Sequence, residues 1–185
     1  MSLFNAIFYF VFPLMLSMVH FSVCTSNGAT EGSVRRGTPM KAALIFAISS
    51  FLLLWAGYYI ASLVEGRVAY TANAVAFFFL AVIGFRMVFH GWQKKAQKKI
   101  FDINEVPVIF ALALALGMNI LLMGVALYFI DLRTMRFSLI LAFVILLVSF
   151  SGLLFGNQFN ENTGWKLELT GGIFIIANGF WLLVM

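Results

Sequence analysis

The chain has 185 residues, of which 63% are hydrophobic and only 10% are charged. A water-soluble domain of this length carries a larger share of charge, so the composition excludes a soluble protein and predicts an integral membrane protein. The length accommodates about six helices of roughly 20 residues each, joined by short loops. The net charge of +5 comes from a few basic residues that cluster between apolar stretches. That distribution is typical of membrane topology and not of a nucleic-acid-binding surface.

Six apolar stretches follow one another along the chain, at residues 3–24, 40–63, 71–91, 106–130, 134–156 and 168–185. Lipid cannot satisfy exposed backbone groups, and the stretches are too long and too uniformly apolar for barrel strands. Each stretch is therefore predicted to be a transmembrane helix. The fold class is an all-α integral membrane protein, with one membrane domain over residues 1–185.

Basic residues assign the two sides of the membrane. One side receives Arg35, Arg36, Lys41, Lys94, Lys95, Lys98, Lys99 and Lys166. The other side receives Arg67, Arg133 and Arg136. Because cytoplasmic loops carry an excess of lysine and arginine, the first side is predicted to be cytoplasmic. The polar loop 93–104 then lies in the cytoplasm and both termini lie outside it.

Three helices followed by three helices suggest an internal repeat, with halves at residues 1–92 and 105–185. An odd number of spans in each half makes the halves cross the membrane in opposite senses, as in inverted-repeat transporters. Small residues spaced four apart, which let helix backbones approach closely, occur in both halves. They are Gly57 with Ala61 in the second stretch and Gly152 with Gly156 in the fifth.

Polar side chains inside the spans carry the functional hypotheses, because a polar group in lipid is costly. No span has an acidic residue at its centre, and Glu168 stands at the start of the sixth. Arg86 is expected to extend toward the cytoplasmic surface, with an ion pair to Glu168 as the alternative. Asn119 either joins two helices through its hydrogen-bonding groups or supplies a neutral oxygen to a pathway.

His20 and Cys24 lie four residues apart in the first stretch and so share one helix face. Their spacing suits half of a site for a soft or borderline metal ion such as Zn²⁺ or Cu⁺, with a third ligand from another helix. In the structural alternative, His20 bonds to a neighbouring carbonyl or serine and Cys24 packs as a small apolar residue. No aspartate pair, HExxH or GxSxG motif lies on a span, so neither an enzyme nor a cofactor is predicted.

Several short pieces keep a fixed order along nearly the whole chain. They are "LSM" (16–18), "GAT" (28–30), "LIF" (44–46) with Gly57, "IGFRMVFHG" (83–91), "MGVALYF" (123–129), "SGLLFG" (151–156) and "LELTGGIFIIANG" (167–179), which contains Gly171 and Gly172. This series resembles the MntP-type manganese efflux pumps, small six-helix proteins related to the LysE-type exporters. The resemblance implies a multi-pass protein of the bacterial inner membrane.

The resemblance also implies intramembrane carboxylates that handle Mn²⁺, and this chain departs from the family there. The aspartate of the first helix and its neighbouring alanine fall on Val19 and His20. A second aspartate falls on Asn119, and a glutamate of the second helix falls on Ser50. Only Glu168 keeps its acidic type. The transport-pathway candidates are Ser17, Val19, His20, Ser50, Asn119 and Glu168.

Two functions stay open at this point. The first is a secondary transporter of the efflux-pump type that carries another metal ion or a less charged solute. A bare dication at mid-membrane would lack neutralisation beside valine and an uncharged amide. The second is a non-transporting subunit that keeps the six-helix scaffold to assemble with another membrane protein or a second copy. In both cases the lipid bilayer surrounds the chain.

Overall fold

The computed structural model describes residues 3–28, 37–63, 72–96, 101, 103–130, 134–158 and 163–184. Six helices make up nearly all of them: α1 (Leu3–Gly28), α2 (Thr38–Ser62), α3 (Ala72–Ala96), α4 (Val106–Ile130), α5 (Thr134–Phe155) and α6 (Thr163–Val184). A short 3₁₀ turn, Gly156–Gln158, follows α5. The described residues contain no strand, and the predicted all-helical fold is confirmed.

Five of these helices are long and apolar enough to cross a membrane. Their apolar segments are Tyr9–Gly28, Thr38–Ser62, Ala74–Gln93, Val106–Ile130 and Thr134–Phe155. Helix α6 falls outside this set, but it packs antiparallel along α3. Gly91 lies beside Trp165 near one end of this contact, and Leu80 lies beside Gly179 near the other. The sixth helix therefore extends alongside a helix that can span the membrane.

The helix boundaries differ from the sequence prediction mainly where polar residues occur. Helix α1 continues to Gly28, beyond the predicted end at residue 24. Thr25 and Ser26 donate side-chain hydrogen bonds to carbonyls of the preceding turn, which keeps these polar residues within the helix. Helix α2 begins after Gly37, whose φ of 96° is a left-handed conformation that glycine adopts without strain.

The helices pair in a pattern that relates the two halves of the chain. The main contacts are α1 with α5, α2 with α4, and α3 with α6. Further contacts join α2 with α5, α1 with α6, and α3 with α4, while α1 also touches α4. Exchanging α1, α2 and α3 with α4, α5 and α6 interchanges α1–α5 with α2–α4 and α1–α6 with α3–α4, and it maps the other three pairs onto themselves. Two repeated halves would produce this pattern, although the inverted repeat itself stays a prediction.

Small residues bring helix backbones close together at these contacts. A Cβ atom on Gly57 would collide with the carbonyl oxygen of Leu121 on α4, and one on Gly152 would lie 2.8 Å from Cys24 Cβ on α1. A Cβ on Gly172 of α6 would lie 2.7 Å from the carbonyl oxygen of Gly84 on α3. Such close approach gives membrane helices van der Waals contact that lipid cannot replace.

One end of the bundle gathers the ends of α1, α3 and α5 and the starts of α2, α4 and α6. Gly28 lies against the carbonyls of Gly152 and Leu153, and Gly164 lies against Ser22. Leu3 and Val184 then lie toward the other end, as six alternating helices require. Lys41 and Lys166 lie at the gathered end, and Arg136 begins α5 at the opposite end.

The assignment of the gathered end to the cytoplasm stays a prediction, because it depends on basic residues of which many are not described. Several residues used in the sequence analysis lie outside the described residues. They are Ala29, Thr30, Arg35, Arg36, Arg67, Lys98, Lys99 and Arg133.

The interior of the bundle is filled by apolar side chains from all six helices. Phe12 of α1, Phe46 of α2 and Phe137 of α5 are among its largest fully buried members. A transporter closed to both sides has the same filled interior as a scaffold subunit. The packing alone therefore does not favour the scaffold function over transport.

Candidate functional site

Val19 and His20 are both buried on α1, and His20 is only 1% exposed. The His20 ring meets the ring of Phe46 on α2 edge to face, with 5.7 Å between the ring centroids. One turn after Phe46, the Ser50 hydroxyl donates a hydrogen bond of 2.6 Å to the Phe46 carbonyl oxygen. The predicted candidates His20 and Ser50 thus both contact Phe46, His20 at its ring and Ser50 at its carbonyl oxygen.

Ser17 is buried but bonds within its own helix. Its hydroxyl donates to the carbonyl oxygen of Leu14 at 2.7 Å. Serine in an apolar helix commonly satisfies its hydroxyl in this way, as Ser50 also does. Both hydroxyls keep acceptor capacity, because a serine oxygen has lone pairs beyond the proton that it donates.

Arg86 and Asn119 join α3 to α4 near the middle of both helices. Arg86 Nη1 donates to Asn119 Oδ1 at 3.1 Å, and Arg86 Nη2 donates to the Ala115 carbonyl oxygen at 3.3 Å. Asn119 is buried near the middle of the 25-residue helix α4. The guanidinium therefore lies half-buried between α3 and α4 near the middle of both helices, instead of extending toward the end of the bundle. Side chains on an α-helix lean toward its N-terminus, and from position 86 of α3 that direction leads toward the middle of the helix.

The pair Arg86–Asn119 makes this part of the bundle positively charged. A guanidinium stays protonated in proteins, and an amide cannot neutralise it. At an effective dielectric constant near 20, a dication about 5 Å from a guanidinium is repelled by roughly 7 kcal/mol. A hydrogen bond to a charged group contributes about 1.5–3 kcal/mol, so one amide oxygen does not offset that repulsion. The resemblance places a carboxylate at position 119, where it would neutralise the arginine.

Glu168 is the one acidic residue that is buried among the described residues, with 1% exposure. It shares a face of α6 with Gly164 and Gly171, at helical spacings of four and three residues. Gly164 packs against Ser22 of α1, and Gly171 packs against Met18 of the same helix. Glu168 therefore lies on the α1-facing side of α6, at the depth of residues 18–22. Its carboxylate can interact with a cation that reaches this depth.

His20 and Cys24 share α1 but meet different neighbours. His20 contacts Phe46 of α2, whereas Cys24 packs against Gly152 of α5. Within the described part of the chain, no group of three or more histidine, cysteine, aspartate or glutamate side chains could hold a metal ion. A metal site formed by His20 and Cys24 stays a prediction, with no third ligand among these residues.

Asn27 is a buried residue that the sequence analysis missed, because the first helix was expected to end at residue 24. Its side chain bonds to α1 and to the segment that precedes α4. The signal was present in the sequence as an amide seven residues after His20, which places both on one face if the helix continues. Gly84 was likewise not singled out as a contact, although it faces Gly172.

Comparison with known proteins agrees with this architecture. A family model described as "Putative manganese efflux pump" matches residues 33–183. A relative from Wolinella succinogenes, named "Putative manganese efflux pump MntP 1", is 27% identical over 90% of this chain and 90% of its own length. A relative from Rippkaea orientalis, "Putative manganese efflux pump MntP", is 27% identical over 91% of this chain and 90% of its own length.

A third relative, from Methanosarcina acetivorans, carries the same name and is 27% identical over 92% of this chain and 91% of its own length. These names are those of membrane transporters. No solved structure matches the chain significantly. With a family model covering most of its residues and relatives that align over nearly their whole length, the chain belongs to the Mntp family of manganese-efflux-pump-type membrane proteins.

Proposed function

We propose that the protein is a secondary transporter of the bacterial inner membrane whose pathway follows the interior faces of α1 and α4. Its substrate is a metal ion other than Mn²⁺ or a less charged solute. The gathered end of the bundle faces the cytoplasm, and both termini face outward, as the positive-inside rule favours. Family membership supports transport, and the departures at the pathway positions support a changed substrate.

The main observation that supports a changed substrate is the hydrogen bond from Arg86 to Asn119. The oxygen at the family's carboxylate position on α4 already accepts from a cation. On α1, the matching position is Val19, which offers no ligand atom at all. A dehydrated dication between these helices would meet the positive charge of Arg86, and the single carboxylate of Glu168 could offset only that charge. The charge of the ion itself would then stay without neutralisation, which is prohibitive in a low-dielectric interior.

The remaining candidate residues supply the pathway with ligand atoms that suit softer ions and with little negative charge. His20 supplies imidazole nitrogens, which suit borderline metal ions better than Mn²⁺. Ser17 and Ser50 supply hydroxyl oxygens, and Glu168 supplies one carboxylate nearer the cytoplasmic end. One carboxylate and one imidazole suit a single charge or a soft metal ion better than a hard dication.

The test is ion flux into vesicles that contain the purified protein. Mn²⁺, Zn²⁺, Cd²⁺ and Cu⁺ are offered separately, and protein-free vesicles give the background. We expect Mn²⁺ flux at background, and flux of a softer ion above it if the substrate is a metal. Substantial Mn²⁺ flux through the wild-type protein would contradict the proposed change of substrate.

A paired set of variants tests the charge argument. The double variant Val19→Asp/Asn119→Asp restores both carboxylates, and we expect it to gain Mn²⁺ flux. Val19→Asn is the matched control, because it adds a polar side chain of the same size without charge. Gain of Mn²⁺ flux in the control as well would show that polarity, and not charge, sets the selectivity.

A further inference from the structure

We infer that Asn27 is a gating residue that holds the cytoplasmic end of the pathway closed. The inference rests on the proposed function, because a gate has meaning only if the interior conducts a substrate. Asn27 is 1% exposed and lies in the last turn of α1. Its Nδ2 donates to the Val23 carbonyl oxygen at 2.8 Å, and its Oδ1 accepts from the Phe101 backbone N–H at 2.8 Å.

The residues held by this contact form a strap, which we define as Phe101, Ile103 and Asn104. Ile103 is 3% exposed and belongs to the buried apolar cluster that also contains Val23. Asn104 Oδ1 accepts from the Thr38 hydroxyl at 3.3 Å, in the first turn of α2. The strap thus joins the end of α1 to the start of α2, immediately before α4 begins.

The residue that holds the strap, Asn27, shares a face of α1 with the pathway candidate His20. Asn27 follows His20 by seven residues, so both lie on one face of α1, about 10 Å apart along the helix axis. Val23 lies between them on nearly the same face. On the proposed pathway along this face of α1, a solute moving from the gathered end toward His20 passes Asn27 and the strap that is bonded to it.

The chemistry of the contacts suits reversible closure. Asn27 supplies an acceptor for the backbone N–H of Phe101 when the strap is closed. When the strap opens, water satisfies both groups, so breaking the bond costs little. The contacts that we assign to closure are two side-chain hydrogen bonds and one buried isoleucine, and so few contacts permit local opening without unfolding of the helices.

The experiment measures the accessibility of a thiol placed behind the strap. Cys24, the single cysteine of the chain, is replaced by serine, and Val23→Cys becomes the reporter. Its rate of reaction with a membrane-impermeant maleimide is measured in vesicles that expose the gathered end. We expect Asn27→Ala to increase this rate about fivefold, the change that loss of one hydrogen bond produces in a two-state equilibrium.

Two further variants provide a control and a second test of the strap. Ser26→Ala is the matched control, because the Ser26 hydroxyl bonds only to Ser22 of its own helix among the contacts described, and it should leave the rate unchanged. Ile103→Ala removes the buried strap side chain without touching α1, so it should also increase the rate. Unchanged rates in both Asn27→Ala and Ile103→Ala, with the protein still monodisperse, would overturn the inference.

The measurement needs no knowledge of the substrate. If the vesicle flux assays show no transport while Asn27→Ala still exposes the reporter, the proposed function fails and the closing contact stands. If transport is observed but neither variant changes accessibility, the gating role of Asn27 fails and the proposed function stands.

Discussion

Arg86 on α3 donates a hydrogen bond of 3.1 Å to the amide oxygen of Asn119 on α4, near the middle of that helix. The contact holds a positive charge between α3 and α4, near the middle of both helices. It also joins the third helix of one half of the chain to the first helix of the other. The same residue pair thus affects both stability and the kind of solute that can pass.

The first prediction concerns the stability of this pair. Asn119→Leu leaves the guanidinium without its side-chain acceptor, and we expect a loss of about 1–3 kcal/mol in unfolding free energy. Asn119→Asp supplies a carboxylate, and we expect a higher thermal midpoint in detergent. Ser151→Ala is the control, since its hydroxyl bonds only to Val148 of its own helix among the contacts described. A lower midpoint for Asn119→Asp than for wild type would contradict the electrostatic account.

The second prediction separates two roles of His20. His20→Phe keeps an aromatic ring against Phe46 but removes both ring nitrogens. If His20 is a ligand in the pathway, flux of the transported ion falls while the thermal midpoint stays within a few degrees of wild type. His20→Ala additionally loses the ring contact and should lower the midpoint, by the cost of a large-to-small change in a packed interior. Normal flux through His20→Phe would assign the residue to packing.

The third prediction concerns Glu168. Glu168→Gln keeps the size and hydrogen-bonding oxygen of the side chain but removes its negative charge. We expect cation flux in the vesicle panel to fall at least about tenfold, because a buried acid in a membrane helix commonly serves the ion pathway. The exposed residue Gln158 offers a matched control as Gln158→Glu, which should leave flux unchanged. Flux that persists in Glu168→Gln would remove Glu168 from the pathway.

The fourth prediction tests the close contact between α3 and α6. A Cβ on Gly172 would lie 2.7 Å from the Gly84 carbonyl oxygen, so Gly172→Ala must move one backbone. We expect a loss of about 1–3 kcal/mol, the usual cost of overpacking. Ala177→Leu, on the exposed side of α6, adds more volume but should have little effect. Equal thermal midpoints for Gly172→Ala and wild type would contradict the packing.

The sequence predicted the number and class of the elements well, since long apolar stretches in lipid have to form helices. It was least accurate at helix ends, where polar residues were assigned to loops. Thr25, Ser26 and Asn27 belong to α1, because their side chains bond to helix carbonyls or to the strap. Thr163 and Gly164 likewise begin α6, where Gly164 packs closely against Ser22.

The candidate site was only partly accessible from the sequence. Resemblance to the efflux pumps suggested positions 19, 50, 119 and 168 as pathway candidates, and their role stays a prediction. It could not say which residues meet. His20 and Cys24 share a helix face by spacing, yet one contacts α2 and the other α5. Arg86 was expected to extend toward the cytoplasmic surface or to pair with Glu168, and a bond to Asn119 was not expected.

By itself, the sequence determined that this protein is a bundle of membrane helices, because apolar run length and the cost of bare backbone in lipid leave no other solution. Only the tertiary structure decided which helices pack together, since that choice depends on the fit of small residues from distant parts of the chain. The same packing placed a guanidinium against Asn119 and the strap against Asn27, which no local pattern encodes.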